Sequence, residues 1–174
     1  MKTMFHRLLL AALLFMPLTV AAQLTVPGTS FTFALPEGEW RYVRTFELDN
    51  QASLYLFSYA GQLPVDAAGD TALPCLRVYV RKGYTGDLYQ LAYERYLQQP
   101  YQSLRDYTRG PGLPRSGGIG YDAIYTNPSD GRDYRFLMTY FKERNTAVEF
   151  RLETTSGTWE AMKPVFESIQ ASIK

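Results

Sequence analysis

The stretch YTNPSDGRDYRFLMTYF, from Tyr125 to Phe141, decides the fold because it contains the clearest turn signal of the chain. Its Asn-Pro-Ser-Asp-Gly segment starts at Asn127 and ends at Gly131, where glycine permits the positive φ that such turns require. Apolar and polar residues alternate before this segment, from Ile119 to Tyr125, and after it, from Asp133 to Phe141. We therefore predict two antiparallel strands joined by a hairpin.

The same turn contains a cluster of oxygen-bearing side chains that could be interpreted as a calcium site. Its members are Asn127, Ser129, Asp130 and Asp133. The EF-hand spacing of acidic ligands with a closing glutamate is absent, however. Turn chemistry explains the cluster more economically, so we predict no metal site here.

Alternation with a period of two continues outside the hairpin and indicates further strands. The predicted strands, in addition to the hairpin pair, are Phe31 to Leu35, Trp40 to Phe46, Ser53 to Tyr59, Leu76 to Arg81, and Ala147 to Leu152. Together they make about seven strands. The short connections between most of them favour antiparallel pairing.

Two segments have the spacing of amphipathic helices. The first runs from Asp87, a suitable N-cap, to Gln99, and Pro100 should end it. The second is capped by Thr158, and Pro164 predicts a kink or a restart near its beginning. Its apolar stripe consists of Trp159, Met162, Phe166, Ile169 and Ile173.

The N-terminal segment has the layout of a secretory signal peptide. Basic residues precede an apolar stretch, and small residues end at Ala22, which predicts a signal over residues 1–22 and cleavage before Gln23. An uncleaved anchor is the alternative, but the apolar stretch is shorter than the ~20 residues that span a bilayer. We expect residues 23–174 to form a single domain, exported to the periplasm or secreted, with no stable membrane insertion after cleavage.

The composition argues against several classes of activity. The only histidine, His6, lies in the predicted signal, so the exported domain has no imidazole for a catalytic triad and no usual Cys/His zinc site. Acidic residues such as Asp122 and Glu149 occur on strands, where solvent-facing acids are routine. We predict no catalytic residues and no cofactor. Without the signal the chain has 16 basic and 17 acidic side chains, which argues against nucleic acid.

Cys75 is the only cysteine, so no internal disulfide can form. It stands at the start of a predicted strand, where a free cysteine usually packs as a small hydrophobe. A reactive thiol or an intermolecular bridge is the alternative.

Two groups of residues are candidates for partner binding. Tyrosine and arginine are enriched at protein interfaces, and all 14 tyrosines lie beyond the predicted signal. The first group, on one side of a strand, is Arg77, Tyr79 and Arg81. The second, in the Gly/Pro-rich loop from Thr108 to Gly118, is Arg109, Leu113 and Arg115. Long loops in compact domains are often functional, and the hairpin tip at Pro128 to Arg132 should lie nearby. For the strand residues the alternative is interior packing, since a sheet covered by helices on both faces needs large residues on both.

Three stretches together resemble the PsbP-like superfamily, which includes Mog-type and DcrB-type proteins. They are FTFALPEGEW at Phe31–Trp40, GYDAIYTNPSDGRDYRFLMTYF at Gly120–Phe141, and TWEAMKPVFESIQASIK at Thr158–Lys174. The resemblance implies an α+β domain in which an antiparallel sheet of about seven strands is sandwiched between helices. It supplies no catalytic residues, and it implies protein binding, with a bacterial envelope protein as the nearer analogue.

We therefore predict an exported, non-enzymatic binding or accessory protein of the bacterial envelope that docks a protein partner. An inhibitor or immunity protein is a variant of this hypothesis. The alternative is a carrier of a small apolar ligand or lipid, held in an aromatic cavity between sheet and helix. A hydrolase-like enzyme is third and would require an acidic pair or Cys75 to act without imidazole.

Overall fold

The computed structural model describes residues 22–49, 51–106 and 117–174. These residues form nine strands, two α-helices and one 3-10 turn. The elements are β1 (Ala22–Thr25), β2 (Thr32–Leu35), β3 (Trp40–Glu47), β4 (Ala52–Tyr59), β5 (Cys75–Arg81), α1 (Leu88–Gln98), β6 (Gln102–Asp106), β7 (Ile119–Thr126), β8 (Asp133–Glu143), β9 (Thr146–Thr155), the 3-10 turn (Ser156–Thr158) and α2 (Trp159–Ala171).

Seven strands form one antiparallel sheet in the order β3-β4-β5-β9-β8-β7-β6. The predicted sheet of about seven antiparallel strands is thus confirmed, but its membership differs from the prediction. β2 pairs with β1 in a separate two-stranded sheet, and β6 joins the large sheet instead. β6 escaped sequence reasoning because its sequence QSLRD has a single apolar residue, Leu104, and therefore no readable alternation.

Each face of the large sheet is covered by one helix. On one face the stripe of α2 packs against the alternating residues of the central strands, which include Leu76, Val78, Val148, Phe150 and Leu152. On the other face Leu91 and Ala92 of α1 lie in a second cluster with Phe136, Met138 and Tyr140 of β8. The expected sandwich of a sheet between helices is therefore present.

The predicted hairpin between β7 and β8 is confirmed. The Gly131 amide donates to the Asn127 carbonyl at 2.8 Å, and the Asn127 amide donates to the Arg132 carbonyl at 2.9 Å. The Asn127 side-chain oxygen accepts from the Ser129 amide at 3.0 Å, and Gly131 adopts a φ of 68°. The oxygen-bearing side chains of the tip thus serve the turn, as does Asp130, whose carboxylate accepts from the Arg132 amide.

Replacing Gly131 by alanine is expected to destabilise the domain by about 1 kcal/mol, because the left-handed backbone conformation is unfavourable for residues with a Cβ atom. An added Cβ would meet no atom within 4 Å, so the cost lies in the backbone and not in a clash. Gly131→Asn should cost less, since asparagine tolerates this conformation. Urea unfolding of both variants measures the difference. Equal losses of stability in the two variants would contradict a left-handed conformation at residue 131.

The two helices begin at the predicted positions, but Thr158 does not cap α2 with its side chain, because its hydroxyl donates to the Thr155 carbonyl instead. The Asp87 carboxylate accepts from the Gln90 amide at 2.8 Å and caps α1, which ends before Pro100. Pro164 lies inside α2, which continues from Trp159 to Ala171, so the helix does not restart there, and a kink stays a prediction. The buried stripe of α2 holds this helix against the sheet, and tertiary packing of this kind outweighs the loss of one backbone bond.

Candidate functional site

A cluster of charged side chains lies between α1 and the sheet. Glu149, Arg151 and Glu153 alternate along β9 and all point to the α1 side, where only 1%, 2% and 5% of each residue is exposed. β5 adds Arg77 beside them, and α1 adds Arg95 from above. Charged groups are rarely buried unless they are paired, so the pairing decides what this cluster can do.

Each buried carboxylate in the cluster is paired with arginine. Arg95 Nε lies 2.9 Å from Glu149 Oε2, and Arg151 Nε lies 3.0 Å from Glu149 Oε1. Arg77 Nη2 lies 2.5 Å from Glu153 Oε1. These carboxylates are thus held in ion pairs and are not free acid–base groups.

The ion pairs set the protonation states of this region. Burial alone would raise the pKa of Glu149, but attraction to Arg151 and Arg95 outweighs burial and lowers it below its ordinary value. The same attraction from Glu149 keeps the pKa of Arg151 above its ordinary value despite burial. Glu149 and Arg151 are therefore both charged at neutral pH.

Cys75 adjoins the cluster as a protonated thiol. Its Sγ donates to Glu153 Oε1 at 3.1 Å, and the residue is buried at the first position of β5, as predicted. Burial and the neighbouring Glu153 charge raise the pKa of the thiol well above its ordinary value. Since the thiolate is the nucleophilic form, this setting disfavours the alternative of a reactive thiol.

The charges of the cluster do not cancel. Three guanidinium groups (Arg77, Arg95 and Arg151) face two carboxylates (Glu149 and Glu153). Within the described part of the chain, Arg151 Nη2 is buried without a hydrogen-bond partner. The cluster therefore holds one excess positive charge.

A pocket of about 220 Å³ opens beside this cluster, near the end of α1 and the β7–β8 hairpin. We call it the arginine pocket. Its lining consists of Arg77, Gln99, Tyr125, Asn127, Tyr134, Phe136 and Glu153. The Arg77 side chain is 39% exposed, so it contacts solvent in addition to pairing with Glu153.

The outer side of α1 displays a row of large apolar side chains. Tyr89, Tyr93 and Leu97, spaced four residues apart, are 60%, 62% and 60% exposed, and Tyr96 beside them is 37% exposed. The rings of Tyr93 and Tyr96 stack at a centroid distance of 6.4 Å. We call these four residues the tyrosine face. The sequence analysis did not predict this face. Its signal is the four-residue spacing of Tyr89, Tyr93 and Leu97 on the side of the helix opposite Leu91.

Both charged side chains of α1 are paired with residues of the sheet, so the helix contributes no unpaired charge to the tyrosine face. Glu94 pairs with Arg81 of β5 at 2.9 Å, and Arg95 is turned inward to Glu149. The remaining polar groups between the rings are glutamines, at Gln90 and Gln98. The surface is thus aromatic and electrically neutral.

The residues predicted on β5 occupy three different settings. Arg77 lines the arginine pocket, and Arg81 is tied to Glu94 of α1. Tyr79 is only 5% exposed, and the Arg95 guanidinium lies 4.2 Å from the centre of its ring. The prediction that Tyr79 lies on a partner-binding surface is therefore wrong. Its side chain packs in the interior, because α1 covers this face of the sheet. Partner binding by Arg77 and Arg81 stays a prediction.

The loop residues predicted for binding, Arg109, Leu113 and Arg115, lie outside the described residues. The hairpin tip that should accompany them is described, and Arg132 at this tip pairs with Asp70 at 2.9 Å. This ion pair links the tip to the segment between β4 and β5. Partner binding by the tip and the loop stays a prediction.

A second, apolar pocket of about 190 Å³ lies between the two-stranded sheet and the α2 side of the large sheet. Its lining consists of Leu24, Thr25, Val26, Pro27, Phe33, Tyr42, Tyr55, Phe57 and Val78. Ligand sites usually measure about 300–1,000 Å³, so this pocket is small for a lipid. An apolar pocket of the kind that the carrier hypothesis requires is thus present, but its volume is smaller than expected for a lipid site.

Two further properties of the described residues bear on function. No helix among them is both long and apolar enough to cross a bilayer. In the same part of the chain, no group of three or more His, Cys, Asp or Glu side chains is placed to hold a metal ion.

The sheet order and the two covering helices define the PsbP/Mog-like fold. The chain is similar to Mog1p of Saccharomyces cerevisiae, described as a Ran-binding protein, with 10% identity over 90% of this chain and 95% of that chain and a TM-score of 0.57. It is also similar to the PsbP protein CyanoP of Synechocystis sp. PCC 6803, with 13% identity over 92% of this chain and 95% of that chain and a TM-score of 0.51.

A protein of Bacteroides thetaiotaomicron VPI-5482 matches with 15% identity and a TM-score of 0.51 over 87% of this chain. The match covers 47% of that protein, so this chain spans about half of its length. No family model and no curated protein sequence matches the chain. At these identities the structural likeness establishes the fold.

Proposed function

We propose that the chain is an exported, non-enzymatic binding protein that docks a protein partner across the tyrosine face of α1. The observation that carries this proposal is the exposure of Tyr89, Tyr93 and Leu97 on one side of a single helix. Large apolar side chains that stand together on a surface mark sites of interaction.

The arrangement of the rings suits protein recognition. Tyrosine buries a large area at low cost in conformational entropy and is enriched among residues that dominate binding energy. Tyr96 is held from two sides, since its ring stacks on Tyr93 and meets Tyr101 edge-on at a centroid distance of 5.2 Å. Ordering of these rings before binding lowers the entropy cost of docking. The neutral surface fits an apolar partner surface better than a charged one.

The fold and the N-terminal segment support the remaining parts of the proposal. Mog1p, which has the same fold, is described as a Ran-binding protein, so this architecture is compatible with protein docking. The signal-like residues 1–22 support export, and with it a partner in the bacterial envelope. An inhibitor of an envelope enzyme belongs to the same class of docking protein.

The charged cluster supports a non-enzymatic role. Its carboxylates are held by arginines, and burial keeps the Cys75 thiol protonated. The only imidazole of the sequence, at His6, lies in the segment proposed to be removed on export.

Replacing Tyr93 by alanine is expected to weaken binding of the partner at least about tenfold, as loss of a dominant interface side chain does. The stability of the free protein should change by less than about 0.5 kcal/mol, because the side chain is exposed. The partner is first identified by photocrosslinking in envelope extracts, and its affinity for purified wild type and variant is then measured.

Tyr42→Ala is the matched control, since Tyr42 is an exposed tyrosine on the edge strand β3. It should leave the affinity unchanged. Equal weakening by both variants, or full affinity in Tyr93→Ala and Tyr89→Ala, would show that the partner does not dock on the tyrosine face.

A further inference from the structure

We propose that the arginine pocket binds a carboxylate group, presented by a small organic acid or by the C-terminus of a peptide. The pocket of about 220 Å³ has room for a group about the size of one amino-acid residue. This inference does not rest on docking at the tyrosine face, because a free acid can fill the pocket without a protein partner.

The polar groups left free in the pocket are mainly donors. Gln99 Oε1 accepts from Arg151 Nη1, and Asn127 Oδ1 accepts from the Ser129 amide. Because guanidinium and backbone N–H groups can only donate, these bonds identify which end of each amide is oxygen. The NH₂ group of Gln99 is thus available to a ligand, whereas the NH₂ group of Asn127 already donates to the Tyr134 hydroxyl and retains one N–H.

Arg77 supplies the charge that faces the opening. Its guanidinium has five N–H donors in a planar fork, and the fork matches a carboxylate geometrically. One nitrogen is paired with Glu153, and the exposed part of the side chain is directed to solvent. A carboxylate entering the pocket would therefore meet a guanidinium together with two amide donors.

The acidic groups near the pocket do not cancel this attraction. The charge of Glu153 is compensated by Arg77, and its carboxylate also accepts a hydrogen bond from the neutral Cys75 thiol. Asp130 accepts from the Tyr134 hydroxyl at the rim of the pocket, and Glu149 lies deeper between Arg95 and Arg151. The buried cluster retains one positive charge in excess, which a bound anion would balance. Attraction between charges is stronger here than in water because the surroundings are less polarisable.

The walls of the pocket indicate what accompanies the carboxylate. The rings of Tyr125 and Phe136 lie nearly parallel, at 22° and a centroid distance of 6.1 Å. Tyr134 is the third aromatic side chain in the lining of the pocket. A carboxylate attached to a flat or apolar group fits this combination better than a bare inorganic anion.

The experiment titrates the full exported domain with three probes by calorimetry and NMR. Phenylacetate represents a free acid, N-acetyl-glycyl-phenylalanine represents a chain terminus, and the amide of this dipeptide lacks the carboxylate. At least one acid should bind saturably with a Kd on the order of 1 mM, and the amide at least about tenfold more weakly. The tighter of the two acids identifies the source of the carboxylate. Equal binding of acid and amide, or no saturable binding of either acid, would overturn the proposal.

Two variants locate the binding. Arg77→Gln should weaken the acid at least about tenfold, whereas Arg81→Gln, which removes the same charge from the same strand outside the pocket, should not. Gln99→Glu still offers an oxygen to Arg151 but replaces the NH₂ donor with a negative charge, so it should weaken the acid without unfolding the domain. Equal effects of the two arginine variants, or unchanged affinity in Gln99→Glu, would show that the acid binds elsewhere. A defect in docking at the tyrosine face would leave all these titrations unaffected.

Discussion

Replacing Glu149 by glutamine is expected to lower the free energy of unfolding by about 3–5 kcal/mol, the usual cost of removing one partner of a buried ion pair. Glu149 lies between two guanidinium groups, with Arg95 Nε at 2.9 Å and Arg151 Nε at 3.0 Å. The substitution keeps the size of the side chain and removes its charge. Arg151 would then be left buried without its directly paired counter-charge, and only Glu153 would remain as an opposite charge nearby. Urea unfolding, with the slope compared between proteins, measures the loss.

Glu94→Gln is the matched control for this prediction. It removes the same charge from an ion pair with Arg81 whose two side chains are 32% and 39% exposed. Exposed pairs contribute about 0–1 kcal/mol, so this variant should be nearly as stable as the wild type. Similar losses of stability in both variants would mean that burial does not make the Glu149 ion pairs more important for stability than an exposed pair.

The same site predicts a dependence of stability on pH. Because its pKa is lowered in the folded state, Glu149 contributes stability that is fully present above the ordinary carboxyl pKa. This contribution is lost as the pH falls through the lowered, folded-state pKa. Glu149→Gln should therefore show a flatter fall of stability in acid than the wild type.

Replacing Phe166 by alanine is expected to cost about 3–5 kcal/mol, as truncation of a fully buried aromatic residue does. Phe166 sits in the centre of the α2 stripe with no exposed surface. Its ring lies at centroid distances of 5.8 Å from Trp159 and 6.4 Å from Trp40. The loss is a large part of the total of about 5–15 kcal/mol that stabilises a typical domain. Thermal and urea unfolding measure it.

Phe46→Ala provides the comparison, because it makes the same deletion on the edge strand β3, where the ring is only partly buried and lies under Arg44. We expect a loss of about 1 kcal/mol there. If the two deletions cost the same, the centre of the core is not at the α2 stripe.

Local patterns in the sequence determined much of the fold. Alternation identified β7, β8 and β9, and the Asn-Pro-Ser-Asp-Gly segment identified the turn that joins the first two. The stripe from Trp159 to Ile173 identified the buried side of α2. These features were readable because strand alternation, helix periodicity and turn chemistry depend on residues close together in the chain.

Only the tertiary structure decided which polar residues are buried and which aromatic residues are exposed. On β9 the sequence places Glu149 and Arg151 opposite the apolar stripe, where solvent is the ordinary expectation, yet both are buried beneath α1. In α1 itself, Tyr89 and Tyr93 are large aromatic residues of a kind often found in a core, but their side chains face outward. The physical reason is that covering the second face of the sheet depends on where a distant helix docks. Local periodicity does not encode that position, and both the charged cluster and the tyrosine face follow from it.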